Sequence, residues 1–89
     1  MKVSNGSASS LVNARISFQG NNTFGEWIDG IYAVFSYGYH WPLFAYIGGT
    51  WYENQERYSP TTSKHRSQLH PLEDTEMVSK DELLTLIGL

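Results

Sequence analysis

The 89-residue chain contains no cysteine. That absence excludes a disulfide framework, a thiolate nucleophile and every cysteine-ligated zinc site, and it makes a reducing compartment the expected setting. Charge in excess is scarce as well: six Lys and Arg against nine Asp and Glu give a formal −3, too little for a histone-like binder or a duplex-DNA mimic. Long apolar runs are missing. The opening MKVSNGSASSLVNARISFQG has no continuous apolar stretch of the kind that marks a secretory signal, and no run reaches bilayer length. A soluble, cytoplasmic protein with no membrane partner is therefore expected. At this length the chain has room for one domain.

Motifs that would announce an enzyme are absent too. There is no G-x-S-x-G elbow and no H-E-x-x-H, and Gly48-Gly49 lacks the Lys and hydroxyl residue that complete a phosphate-binding loop. His40, His65 and His70 do not have metal-ligand spacing, so neither a metal nor a cofactor is expected. Ser59 or Ser63 with His65 is the best grouping for nucleophilic catalysis, but nearness in sequence is no substitute for convergent geometry. A non-enzymatic protein is the leading expectation.

What the chain has in plenty is aromatic rings. Three Trp, six Tyr and four Phe all fall between Phe18 and Tyr58, so the core must lie there, because rings supply the most apolar area per residue. Residues 1–10, rich in Ser, Asn and Gly, read as a flexible segment. Residues 11–89 read as a single α+β domain. Val12, Ala14, Ile16 and Phe18 alternate with polar residues, the period of a half-buried strand. Gly25 to Gly30 reads as a connection, Ile31 to Tyr37 as a central strand, and Leu43 to Ile47 as a strand opened or edged by Pro42. Gly48-Gly49 predicts a tight hairpin back into Thr50–Glu53.

Two helices close the pattern. Thr62 or Ser63 can cap a short helix over Lys64–Leu69, which completes the sheet-and-helix part at residues 11–70. Residues 71–78 read as an acidic linker. A C-terminal helix over 79–88 is predicted by the Ser79/Glu82 capping box, the Val78/Leu83 staple and Gly88. Together these give a small, mostly antiparallel, three- to four-stranded sheet with a short helix and a C-terminal helix.

The segment Tyr58-Ser59-Pro60-Thr61-Thr62-Ser63-Lys64-His65-Arg66 sets four hydroxyls and three cationic or ionisable side chains at a helix start. Ser59, Thr61, Thr62, Ser63 and Lys64 form a candidate anion site there, although hydroxyls in such positions also serve simply as caps. Rings interleaved with Arg57, Lys64 and Arg66 would suit single-stranded nucleic acid; surplus Tyr and Trp equally suit a protein interface. Tyr37, His40, Trp41, Tyr58, Lys64, His65 and Arg66 are the candidate partner contacts. A sheet with a free edge could also pair with a second copy of the chain.

Ser36-Tyr37-Gly38, His40-Trp41-Pro42, Trp51-Tyr52 with Asn54, and Tyr58-Ser59 through Thr61-Thr62-Ser63-Lys64-His65 resemble a recurring pattern: S-Y-G, W-P, W-Y-x-N, Y-S-x-T-T-S-[KR]-H. It belongs to a group of short, mostly uncharacterised phage and mobile-element proteins. The resemblance covers about Val12 to Leu69. It implies a gene setting and a bacterial host cytoplasm rather than a mechanism. Small phage proteins without catalytic motifs are often inhibitors of host machinery, so the setting implies a binder of a host protein or ribonucleoprotein complex, such as an anti-CRISPR.

The net charge is uneven. Residues 1–72 carry five Lys and Arg against four Asp and Glu, whereas residues 73–89 hold five acids against Lys80 alone. The acidity resides in the last fifth of the chain.

Overall fold

A computed structural model describes residues 2–57 and 59–89. The chain runs α1 (Asn5–Ala14), β1 (Phe18–Gln19), β2 (Thr23–Ile28), β3 (Ile31–Ser36), β4 (Pro42–Ile47), β5 (Thr50–Asn54), α2 (Pro60–Leu69), β6 (Thr75–Val78) and α3 (Lys80–Ile87). The α+β class holds, but the expected three- to four-stranded sheet is corrected to six strands in the order β1 to β6. The sheet is mixed: β1 to β5 form an antiparallel meander and β6 pairs parallel to β5. Two parallel neighbours need a crossover, and α2 supplies it.

Three local expectations are also corrected. The Ser/Asn/Gly-rich start is not loose chain; it forms α1, capped by Ser4, whose hydroxyl accepts from the Ser7 amide, and stopped by Arg15 in the left-handed region. Ala8, Leu11 and Val12 face the core at the three-and-four spacing of a helix, so the alternation read from Val12 onward yields a strand only at Phe18–Gln19. The second correction concerns Gly25, which lies inside β2 rather than in a connection. A Cβ there would sit 2.6 Å from both the Phe18 ring and the Tyr32 hydroxyl, so the glycine makes room for two rings crossing the strand. Third, the acidic linker contains β6, which hides only Val78.

The central reading holds. β3, β4 and β5 occur close to where they were predicted, and Gly48 and Gly49 both take positive φ in the hairpin (56° and 86°). At α3, Ser79 accepts from the Glu82 amide and Gly88 closes the helix in the left-handed region.

Each face of the sheet has its own cover. Tyr32, Val34, Phe44 and Trp51 pack under α1 and α2, with Ala8, Val12 and Leu69 above them. On the other face Ala33, Phe35 and Ala45 lie beneath Leu83 and Ile87 of α3. Because α3 sits over β4 and β5, it leaves the β2 end of that face to Phe24, Phe35 and the Tyr39 ring, which pack within 5.0–5.2 Å of one another. Among the described residues no helix is long and apolar enough to cross a membrane.

Candidate functional site

The last residue of β3 is the fully buried Ser36. Its hydroxyl lies 2.8 Å from Nδ1 of His65, on α2. No other partner is within reach of that hydroxyl among the described residues, and a buried O–H needs an acceptor. Ser36 therefore donates and Nδ1 accepts. Burial, and then the neighbouring Lys64 ammonium, lowers the His65 pKa below its usual value, so the neutral ring carries its proton on Nε2. Tyr37 covers the ring at 5.7 Å. Its backbone is left-handed (φ 68°), a conformation that is costly for an aromatic residue, and its amide donates to the Asn22 carbonyl at 2.8 Å.

His65 floors a cleft of about 380 Å³ between the first turn of α1, the β1–β2 turn and α2, whose other walls include Asn5, Asn22, Thr61, Lys64 and Gln68. Asn5 is anchored by its oxygen, which accepts from Thr23 Oγ1 at 2.7 Å and from the Asn21 amide at 3.2 Å. Gly20 permits that approach. A Cβ on it would lie 2.5 Å from Thr23 Oγ1 and 2.8 Å from Asn5 Oδ1.

A second polar cluster ties the crossover to the sheet. Glu53, 2% exposed on β5, receives Arg66 Nε at 3.2 Å, His70 Nε2 at 2.9 Å and the Thr75 hydroxyl. Arg66 Nη1 also donates to the Asn54 carbonyl at 2.7 Å. With both carboxylate oxygens engaged by α2, its exit and β6, this is a structural knot rather than an open site.

The sequence-predicted residues divide accordingly. Ser59, not Thr62 or Ser63, caps α2, accepting from the Thr62 amide, and Pro60 takes the first helical position. Thr62 is buried, and its Oγ1 accepts from the Ser59 hydroxyl at 3.1 Å. Of the proposed hydroxyl cluster, Thr61 and Lys64 reach the cleft and Ser59 and Ser63 do not. The pairing of Ser59 or Ser63 with His65 is replaced by Ser36 with His65. Tyr37, His40 and Lys64 are exposed, Trp41 is buried and Arg66 is held by Glu53. Tyr58 lies outside the described residues.

Sequence reasoning did not single out Ser36, Asn5 or Glu53 as site residues, nor the exposed Trp27 that stands near the exposed Tyr39. Those two rings flank a groove along the β1–β2 edge together with Phe24 and Glu26. A hydrogen bond to Glu26, with desolvation behind it, raises the Tyr39 phenol pKa. A signal for Ser36 existed: S-Y-G and T-T-S-K-H, separate in the sequence, meet as Ser36 and Tyr37 against His65. Likewise W-P meets W-Y-x-N, because Asn54 Nδ2 donates to the Pro42 carbonyl at 2.9 Å.

No protein-family model, curated protein or solved structure matches the chain.

Proposed function

We propose that this is a non-enzymatic phage or mobile-element protein that binds a host complex by protein–protein contact, in the manner of an inhibitor of host defence such as an anti-CRISPR. The observation that carries the reading is the aromatic edge. Trp27 and Tyr39, each about half exposed at 49% and 52%, line one groove at the β1–β2 edge, and Tyr37 is 51% exposed against His65. Large rings held rigid by their neighbours are the side chains from which interface hot spots are built. Trp27 is fixed by a hydrogen bond from its Nε1 to the Arg15 carbonyl at 3.0 Å and by the Tyr32 ring; Tyr39 is fixed by Phe24 and Phe35.

The alternatives draw less support. A strand of nucleic acid needs cations along its backbone, yet Arg66 is committed to Glu53, Arg15 lies 4.4 Å over the Tyr46 ring and Lys80 pairs with Asp81. The enzyme reading would need a reachable nucleophile, and the serine beside His65 is sealed.

Co-migration of the purified protein with host CRISPR effector complexes on size exclusion tests the proposal, alongside protection of a phage from targeting in cells. Binding that disappears in a Trp27→Ala, Tyr39→Ala double variant is expected. No co-migration with any effector and no protection would refute it.

A further inference from the structure

We infer that the free edge of β6 is a docking site for an extended segment of a protein partner, one in which Lys or Arg alternates with apolar residues.

The sheet ends in two outer strands, β1 and β6, and only one of them is covered. At β1, Lys2 bridges Gln19 in parallel and the Val3 amide donates to the Gln19 carbonyl at 2.8 Å. β6 pairs with β5 on one side and, among the described residues, with no strand on the other. The Gln55 amide donates to the Val78 carbonyl at 2.9 Å, so Val78, and Glu76 two residues before it, turn their backbone groups toward β5. Thr75 and Met77 therefore turn their N–H and C=O groups outward, where an added strand would complete a ladder.

The side chains along this edge define what such a strand must carry. Met77, 54% exposed, shares a face with Thr75, whose hydroxyl reaches Glu53 on the α2 side of the sheet. Leu72, 87% exposed, stands on that side too, where its amide donates to Asn13 Oδ1 of α1 at 2.7 Å. The opposite face carries Glu76, in line with Val78 under α3, whose first turn holds Asp81 and Glu82. Successive residues of an added strand would lie beside Met77 on one face and beside Glu76 on the other. The first position calls for an apolar side chain and the second for a cation.

Charge selects the occupant. No Lys or Arg lies between Arg66 and Lys80, a stretch that holds Glu73, Asp74 and Glu76, and those two cations are engaged by Glu53 and Asp81. A second copy of β6 and a strand of nucleic acid are both repelled, whereas a basic segment is attracted. Acids on an edge also keep sheets from adding to one another, but charge alone serves that purpose. Exposed Leu72 and Met77 beside bare backbone add the apolar contact that strand addition uses for specificity.

The experiment titrates the full ¹⁵N-labelled chain, at neutral pH and low salt, with three acetylated and amidated peptides. They are TKVKVKT, its acidic counterpart TEVEVET, and TKKKVVT, which has the first peptide's composition without its alternation. With TKVKVKT the Thr75 and Met77 amides should shift saturably and gain protection from hydrogen exchange, as a new backbone hydrogen bond requires. TEVEVET should not bind, and TKKKVVT should bind more weakly and leave the two amides unprotected. Glu76→Lys, at an exposed position, should keep the fold and weaken binding of TKVKVKT by about tenfold or more. Met77→Pro removes an outward N–H and leaves the bonds of Glu76 and Val78 to β5, so it should keep the sheet and lose the peptide. The docking assignment is overturned by no saturable shift at these amides, by shifts without protection, or by equal binding of all three peptides. Protection of Met77 in the free protein that grows with its concentration would give the edge to a second copy and overturn it as well. The Trp27→Ala, Tyr39→Ala variant should bind TKVKVKT as the native chain does, so a failure of co-migration with a host complex leaves this edge standing.

Discussion

At the scale of single residues, the Ser36–His65 pair makes a prediction with a definite sign. The His65 pKa is lowered in the folded state by burial and by Lys64, from an ordinary value of 6.5. The unfolded chain therefore takes up its proton first as pH falls. The contribution to stability is complete above pH 6.5 and is lost as pH drops through that value toward the lower folded pKa. Denaturant midpoints measured across this range should fall for the native chain and fall less steeply for His65→Gln; parallel curves would deny His65 the role. Gly20→Ala gives a second test. The new methyl meets Thr23 Oγ1 and Asn5 Oδ1 well inside contact distance, and pushing apart that partly buried hydrogen bond should cost about 1–3 kcal/mol, readable as a lower urea midpoint at unchanged slope. Gly6→Ala, in open space on α1, is the control that should be neutral or slightly stabilising.

At the scale of elements, α2 and β6 depend on Glu53. Removing the carboxylate by Glu53→Ala strands the Arg66 guanidinium and leaves the Thr75 hydroxyl and His70 without their acceptor. A loss of about 3–5 kcal/mol is expected, in the range for breaking one side of a buried pair. Hydrogen exchange should speed up in β6 before the meander if the knot fastens the crossover. Ser79→Ala should remove only about 1 kcal/mol, since it loses one cap. The same division separates the parts of the fold that were legible in the sequence from those that were not. Strands β3 to β5 and the start of α3 announce themselves locally, through β-branched and aromatic runs, a Gly-Gly turn and a capping box. β6 does not. Its Thr-Glu-Met-Val is an edge strand with one buried residue, and it exists because a partner more than twenty positions earlier lies alongside it. α1 failed for a different reason: Val12, Ala14, Ile16 and Phe18 fit a two-residue period, but Ala8, which with Leu11 and Val12 establishes the helical period, lies in a stretch whose composition reads as loose. Ser59 was overlooked as the cap although Pro60 directly after it is the mark of a first helical residue. At the site, Lys64, His65 and Thr61 could be picked out by type. Ser36 and Asn5 could not, because their roles arise only when β3 and α1 are brought against α2.

At the scale of the whole molecule, charge and cover are distributed by face. α1 and α2, with the acid-free cleft between them, lie on one side of the sheet, and α3, with Asp81 and Glu82 in its first turn, lies on the other. β6 is an outer strand whose exposed Glu76 follows exposed Glu73 and Asp74. A second copy pairing along β6 would bring these acids together, so sedimentation at neutral pH and low salt should report a monomer; a dimer there would assign the pairing to another surface. The order of the strands has a bearing on how the protein is made. The meander through β5 is built from neighbours in sequence, and the ribosome delivers it whole before α2, β6 and α3 are synthesised. During that interval Ala45 and Phe35 lack the helix that will cover them, Trp51 and Phe44 wait for α2, and β5 presents a bare edge. Glu53, placed on that edge, gives the nascent sheet a charge in the position where another chain would otherwise add a strand. The same carboxylate that later fastens the crossover is thus a guard for the half-made protein.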